Sequence, residues 1–326
     1  MGDAAGAVPG RTRGVLPGDG KAPAHPGRPA VIQLEGVAKR FGEIEALAAL
    51  DLEIRDGEWL GVLGRNGSGK TSLLRILVGL SQPSSGKILF DGQEPDTEAW
   101  RRVHRTLGFM PERVSFFEHL TGEKTLRYFA RLKGVAQHEV APLLAQVGLT
   151  AAAGRKLGGY SKGMLQRLNL AQALLGDPRM LVVDEPIEGL DADGAREFFE
   201  ILKRVEGRTV IMSSHRVGMM SRYMDRVCVL NAGRVVALGT ESDLHQTLDL
   251  PVRVTLQPSV ESNGHLATAL ERLEIGSVAN RNGIVVVSVS QRDKIRFLAS
   301  LQSLEASIDN VRIEEPSLEE VLRETH

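Results

Sequence analysis

The sequence has a single cysteine, Cys228, so no internal disulfide can form, and a reducing compartment is compatible with it. Formal net charge is only −1, which excludes a global basic field of the kind that draws nucleic acid. No apolar run approaches the ~18 residues that span a bilayer. The N-terminus lacks an apolar signal core, and Thr12 separates Arg11 from Arg13, so there is no twin arginine. If the chain serves a membrane process, the expectation is that another chain supplies the membrane segments. Aromatic residues are 4% of the total, so a local cluster of them stands out.

What is present is ordinary for a globular protein: 42% hydrophobic and 25% charged residues in 326, a length suited to two domains or to one with an appendage. Residues 1 to 30 are rich in Gly, Ala and Pro and poor in large apolar side chains. They cannot bury enough surface to offset ordering entropy, and a disordered tail is expected. From Val31 the texture changes. "VIQLEGV", "EALAALDLEI" and "EWLGVLG" read as strands, "SLLRILVGL" as a helix stopped near Gly79, and "SGKILFDGQ" as a hairpin strand. Residues from 97 to 178 read mostly as helix. "RMLVVDEP" and "RTVIMSSH" are wholly apolar until their ends, the pattern of parallel strands buried on both faces. "RVCVLNAGRVVALG" reads as a hairpin turning at Asn231, Ala232 and Gly233. Beyond Leu250, "PVRVTLQ", "GSVANRN", "GIVVVSVS" and "ASIDNVRIEEP" look like strands, "LATALERL" and "DKIRFLASLQSL" like helices, and "SLEEVLRETH" like a terminal helix.

"GRNGSGKT" is a P-loop pattern, with Gly64, Gly69, Lys70 and Thr71 at its fixed positions, after a strand and before a helix. Glycines let the backbone curl so that successive N–H groups face phosphate oxygens. Lys70 brings positive charge to the outer phosphates, and the Thr71 hydroxyl suits Mg²⁺. "LVVDEP" places Asp184 and Glu185 at the end of a buried strand. Alternation would send them to opposite faces and different roles: Asp184 toward Mg²⁺, Glu185 toward the attacking water.

"YSKGMLQRLNLAQALLG" raises a further question. Ser161 is placed as a helix N-cap, Met164, Leu168, Ala171 and Leu175 form an apolar stripe, and Gly176 is the stop. Helix starts hold anions, so the chain carries two phosphate-ready helix starts.

The P-loop, "YSKGMLQR", "LVVDEP", "EGLD" and "SSH" follow one another in the order and spacing of the ATP-binding subunits of ABC transporters, which residues 31 to 245 resemble. The resemblance implies an α/β fold, a P-loop ABC-type ATPase domain with a mixed sheet core over residues 31 to 247 and a helical subdomain over about 97 to 178; the strand and helix patterns beyond it are expected to form a small α+β module over 248 to 326. It implies ATP hydrolysis with Mg²⁺ in a head-to-tail homodimer, in which the signature helix of one subunit covers the γ-phosphate held by the other. The two helix starts would then serve two subunits. The residues carried over are Phe41 for adenine stacking; Gly64, Asn66, Gly67, Ser68, Gly69, Lys70, Thr71 and Ser72 for phosphates; Ser161, Lys162 and Gly163 for the partner's ATP; Thr71, Glu112 and Asp184 for Mg²⁺; Lys70, Glu185 and His215 for catalysis; and Asp191 for a dimer-contact loop.

Three departures matter. Lys162 replaces a glycine, leaving it either near phosphate or simply solvated; Met164 replaces a glutamine and is expected to pack. Glu112 stands where many members have glutamine, and Arg113 is the candidate to compensate its charge. Phe116, Phe117, Tyr128 and Phe129 cluster where the family receives the coupling helix of its membrane permease.

Within the family, "HLTGEKTLRYFARLKG", the signature stretch and "EEPSLEEV" are most similar to the NosF group, ATPases of the system that matures the copper centres of nitrous oxide reductase. That implies a NosY-like permease, a periplasmic NosD-like protein reached through it, a place on the inner face of the cell membrane and no nucleic acid. Drug, lipid and ion efflux ATPases are the alternative, a soluble non-transport ABC ATPase a more distant one. Direct copper binding is not expected: His215 with Met219, Met220 and Met224 is the densest group of soft ligands, and Met220 and Met224, four apart, suit a core-facing helix.

Overall fold

The computed structural model describes residues 30–204, 207–247, 251–259, 265–281 and 283–314. The expected N-terminal tail up to residue 29 and the expected terminal helix "SLEEVLRETH" lie outside the described residues. In chain order the strands are β1 (Ala30–Phe41), β2 (Ile44–Arg55), β3 (Trp59–Leu63), β4 (Ser85–Phe90), β5 (Leu107–Met110), β6 (Met180–Val183), β7 (Thr209–Ser214), β8 (Arg226–Asn231), β9 (Arg234–Gly239), β10 (Val252–Pro258), β11 (Ser277–Arg281), β12 (Ile284–Val289) and β13 (Ile308–Glu314). The helices are α1 (Lys70–Leu77), α2 (Thr97–Thr106), α3 (Gly122–Lys133), α4 (Val140–Gln146), α5 (Lys162–Leu174), α6 (Ala192–Lys203), α7 (Val217–Met220), α8 (Glu241–Thr247), α9 (His265–Glu271) and α10 (Lys294–Ser300).

The site is built on a six-stranded sheet ordered β5-β6-β7-β3-β8-β9, parallel except for the β8–β9 hairpin. Every residue of β6 and β7 is buried, as their uninterrupted apolar runs require. β3 lies between β7 and β8, so the loop after it opens beside the ends of β6 and β7. A second, antiparallel sheet has the order β2-β1-β4. The hairpin expected at "SGKILFDGQ" is a tight turn in which Phe90 bridges Gln93 across Asp91 and Gly92, both at positive φ, while β4 itself pairs with the distant β1. The β8–β9 turn is tighter than expected: Asn231 pairs with Arg234, and Ala232 and Gly233 turn alone, both at positive φ. That is the backbone of a two-residue turn matched to strand twist.

The stretch read as mostly helix contains β5, four residues paired in parallel with β6. Its length is too short for a periodicity to register. α5 buries Leu168, Leu170, Ala171 and Leu174, and Leu126, Ala130, Leu144 and Val147 from α3, α4 and the turn after α4 complete that core. Met220 and Met224 are not on one helix, because α7 ends at Met220 and a 3-10 turn follows. Both still reach Gly61 of β3, where an added Cβ would meet Met220 Cε at 2.8 Å and Met224 Cγ at 3.1 Å. They fill the space a glycine leaves on the central strand. The Met219 side chain lies outside the described residues. Cys228 is buried in β8, and burial pushes its thiol up to about 12. Four strands, ordered β11-β12-β10-β13, form a separate antiparallel sheet; Val252, Val254, Leu256, Val285, Val287 and Val289 meet Leu266, Leu270 and Phe297 from α9 and α10.

Candidate functional site

The P-loop backbone has the curl its glycines allow. Gly69 sits at φ 107°, and an added Cβ would lie 2.5 Å from the Ala46 carbonyl oxygen and 2.8 Å from Leu47 Cδ2. Gly64 is closed by contact instead: a Cβ there would be 2.6 Å from the Leu230 carbonyl oxygen. Ser68 Oγ is buried in this loop with no hydrogen-bond partner in the described structure. α1 begins at Lys70 without a side-chain cap, so its first N–H groups remain as anion donors.

Lys70 is only 6% exposed. Its ammonium donates to the carbonyl oxygens of Gly64, at 2.7 Å, and Arg65, at 3.3 Å, and lies 3.2 Å from Glu185 Oε1. The two carboxylates meet different partners, Asp184 the Ser213 hydroxyl and Glu185 the Lys70 ammonium and His215, but strand alternation is not the reason. β6 ends at Val183, and Glu185 adopts a left-handed backbone at φ 45°. This conformation costs about 1–3 kcal/mol in a non-glycine residue. The Glu185 amide donates to Ser213 Oγ at 2.9 Å, and that hydroxyl donates to Asp184 Oδ1 at 2.5 Å. β7 thus fixes both acids through one serine. Burial pushes the Asp184 carboxyl above the usual carboxylate range; Ser213 and Thr71 hydrogen bonds oppose the shift, and the charges of Glu185 and Glu112 add to it.

His215, just after β7, places Nδ1 2.9 Å from Glu185 Oε2 and Nε2 3.2 Å from Glu188 Oε2. Arg216 donates to the Leu190 carbonyl at 3.1 Å and ties this end of β7 to the loop that leads into α6. Phe41 is half exposed, and together with Asn66, Gly67, Gly69, Lys70, Thr71, Ser72, Glu112, Glu185, Glu188 and His215 it lines one cavity of about 520 Å³.

The signature residues do not line that cavity. Ser161 is the N-cap of α5, accepting from the Met164 amide at 3.3 Å. Met164 is partly buried and packs on the core as expected. Lys162 is exposed, in keeping with the solvated alternative, and its ammonium lies against Gly189, where a Cβ would sit within contact of Nζ. Gly189, at φ 68°, precedes Asp191, the N-cap of α6. Glu112 does pair with Arg113, at 3.3 Å, but Arg113 is 92% exposed, so the compensation is weak. Asn169 and Gln172, unmarked in the sequence reading, donate from α5 to the carbonyls of Pro111 and Phe109, at 3.0 Å and 2.8 Å. They hold the strand end that carries Glu112. Their signal was two amides on an otherwise apolar helix face.

A phosphate-shaped loop after a central parallel strand, a lysine inside it and two acids just past the end of another strand of that sheet define a P-loop ATPase. The family described as ABC transporter matches residues 47–188. Over 294 residues the chain is 31% identical to the uncharacterized ABC transporter ATP-binding protein YdbJ of Bacillus subtilis strain 168, covering 89% of this chain and 93% of that protein. It is 31% identical over 301 residues to the daunorubicin resistance ATP-binding protein DrrA3 of Streptomyces coeruleorubidus, covering 89% and 94%. Among solved structures it is similar to a bacterial ABC transporter cassette determined as a dimer, with a TM-score of 0.58 and 26% identity over 64% of this chain and 98% of that one. The chain belongs to the ATP-binding proteins of ABC transporters. Among the described residues no helix is long and apolar enough to cross a membrane.

Proposed function

We propose that this chain hydrolyses ATP as a homodimer at the inner face of the cell membrane and drives a separate permease subunit. One observation carries the reading. Phe41, the P-loop, Glu112, Glu185 and His215 share a cavity, whereas Ser161, Lys162 and Gly163 lie outside it. A second subunit would bring its signature helix start to the phosphates. In this reading Phe41 stacks on adenine, Lys70 neutralises outer phosphate charge, Glu185 orients the attacking water and accepts its proton, and His215 donates to the terminal phosphoryl group. Thr71, Asp184 and Glu112 offer only oxygen, the donor set that Mg²⁺ takes, and the unpartnered Ser68 hydroxyl suits an oxyanion. Mg²⁺ would supply charge neutralisation there.

The permease would dock at α3. Phe116 and Phe129 pack edge to face, 6.2 Å apart, while Phe117 and Tyr128 are 57% and 46% exposed. The four-stranded sheet with its own core supports a distinct module at 248–326. For the cargo, the resemblance of stretches of this chain to the NosF group favours copper-centre maturation of nitrous oxide reductase, although "EEPSLEEV" reaches beyond the described residues. Efflux is the second reading, supported by similarity to the daunorubicin resistance protein. Lys70→Ala in the native host separates them. Loss of copper from nitrous oxide reductase supports maturation; full copper content with raised sensitivity to an exported compound supports efflux. Failure of the chain to co-purify with any permease would sink both.

A further inference from the structure

Glu188 is a second carboxylate at His215, and nothing in the roles above uses it. The turn that starts at Glu185 closes with the Glu188 amide donating to the Glu185 carbonyl oxygen at 3.2 Å. This returns the Glu188 carboxylate to His215, with Oε2 at 3.2 Å from Nε2, while Glu185 Oε2 lies 2.9 Å from Nδ1. The imidazole therefore faces a carboxylate at each nitrogen. A neutral ring can donate to only one of them. The two acids are held differently. Glu185 is 9% exposed and also grips Lys70. Glu188 is 45% exposed, and among the described residues His215 is its one cationic partner. Glu188 is thus the looser partner of His215, and it lines the same cavity as Lys70 and Thr71.

An anion that bridges from Lys70 to His215 must take Nε2 from Glu188 and accept its negative charge alongside. We propose that Glu188 is a positioning residue that holds His215 by Nε2 and competes there with the terminal phosphate of ATP. It would therefore weaken ATP binding selectively over ADP, which lacks that phosphate. The inference rests on the reading of the cavity as the ATP site with its terminal phosphate between Lys70 and His215.

The test uses the full chain with Glu188→Gln and Glu188→Ser, both at a half-exposed position where folding should survive. Titration calorimetry measures binding of ADP and of a non-hydrolysable ATP analogue with Mg²⁺. Both variants should bind the analogue roughly threefold more tightly, the scale of a partly screened charge contact, with ADP affinity unmoved. KM for ATP should fall by the same factor. A shift of equal size for both nucleotides would mean that Glu188 only shapes the loop, and would overturn the proposal. So would unchanged or weaker analogue binding in both variants. Lys70→Ala tells the two failures apart. Should it bind both nucleotides like wild type, the reading of the site is wrong and this inference goes with it; should it lose them while the Glu188 variants stay unchanged, only this inference falls.

Discussion

The Lys70 ammonium meets Glu185 Oε1 at 3.2 Å, with both side chains less than a tenth exposed. The pair connects the P-loop, which follows β3, to the end of β6 across the intervening β7. It places opposite charges of the proposed phosphate binder and the proposed water-orienting base in direct contact. A ligand phosphate at Lys70 would share that ammonium with Glu185 and leave the carboxylate poised beside it.

Glu185→Gln should keep ATP binding, because Lys70 retains the Gly64 and Arg65 carbonyls and the amide oxygen replaces Oε1. Hydrolysis should fall by roughly 10²-fold or more, the range for loss of a general base. Single-turnover rates at saturating ATP check this, and turnover at the wild-type rate would remove Glu185 from the chemistry. Glu185→Ala strands the buried ammonium without a counter-charge. It should lower stability by about 3 kcal/mol in urea unfolding, clearly more than Gln does.

The P-loop backbone makes its own prediction. Gly69→Ala would put a methyl 2.5 Å from the Ala46 carbonyl oxygen in a backbone at φ 107°. Neither backbone can yield without disturbing the contact between β2 and the loop. The substitution should cost about 2 kcal/mol or more and abolish ATP binding. Gly67 also has positive φ, but an added Cβ there meets nothing within 4 Å. Gly67→Ala should therefore cost less, and an equal loss in the two melts would contradict the contact argument.

Much of this site was legible because its chemistry is local. Gly64 to Thr71 state a backbone shape, and Asp184, Glu185 and His215 end apolar runs that can only be buried strands. What stayed hidden depends on return paths. The role argued for Glu188 needs the left-handed Glu185 to fold the chain back on a histidine 27 positions later, and no spacing rule encodes that. Lys162 finds Gly189 for the same reason, through an approach of α5 to the loop before α6. β5 was invisible because four residues between helices carry no period, and its identity comes from pairing with β6. Strand alternation, expected to part Asp184 and Glu185, does not apply to them, because the strand ends at Val183 before either acid.

Asp184 sets a pH dependence. Its folded carboxyl lies above the unfolded value, chiefly because of burial, so the unfolded chain releases the proton first. Stability then falls as pH rises from the ordinary carboxylate value of about 3.9 through the raised one, and the cost is fully present above it. Asp184→Asn removes the cost and can still accept from Ser213. The variant should melt higher than wild type near pH 7, with the difference shrinking as pH approaches 4, while Mg²⁺-dependent hydrolysis is lost. A lower melting temperature for the variant at pH 7 would show that the carboxylate is held more favourably than burial allows.

The placement of Ser161 outside the cavity leads to the last prediction. Lys70 and the Ser161 helix start belong to one chain, yet only Lys70 faces the cavity where nucleotide would lie. If a second subunit completes the site head to tail, each site draws its P-loop from one subunit and its signature from the other. Lys70→Ala damages the first, and Ser161→Arg damages the second by removing the N-cap and placing bulk at the helix start. In a defined heterodimer carrying one lesion per subunit, both fall on the same site and the other stays whole. That heterodimer should bind one ATP per dimer, whereas a homodimer with both substitutions in each chain should bind none tightly. Counting bound nucleotide per dimer distinguishes the arrangements. If each site were completed within its own chain, the two lesions would damage both sites of the heterodimer, and equal loss at both would end the head-to-tail reading.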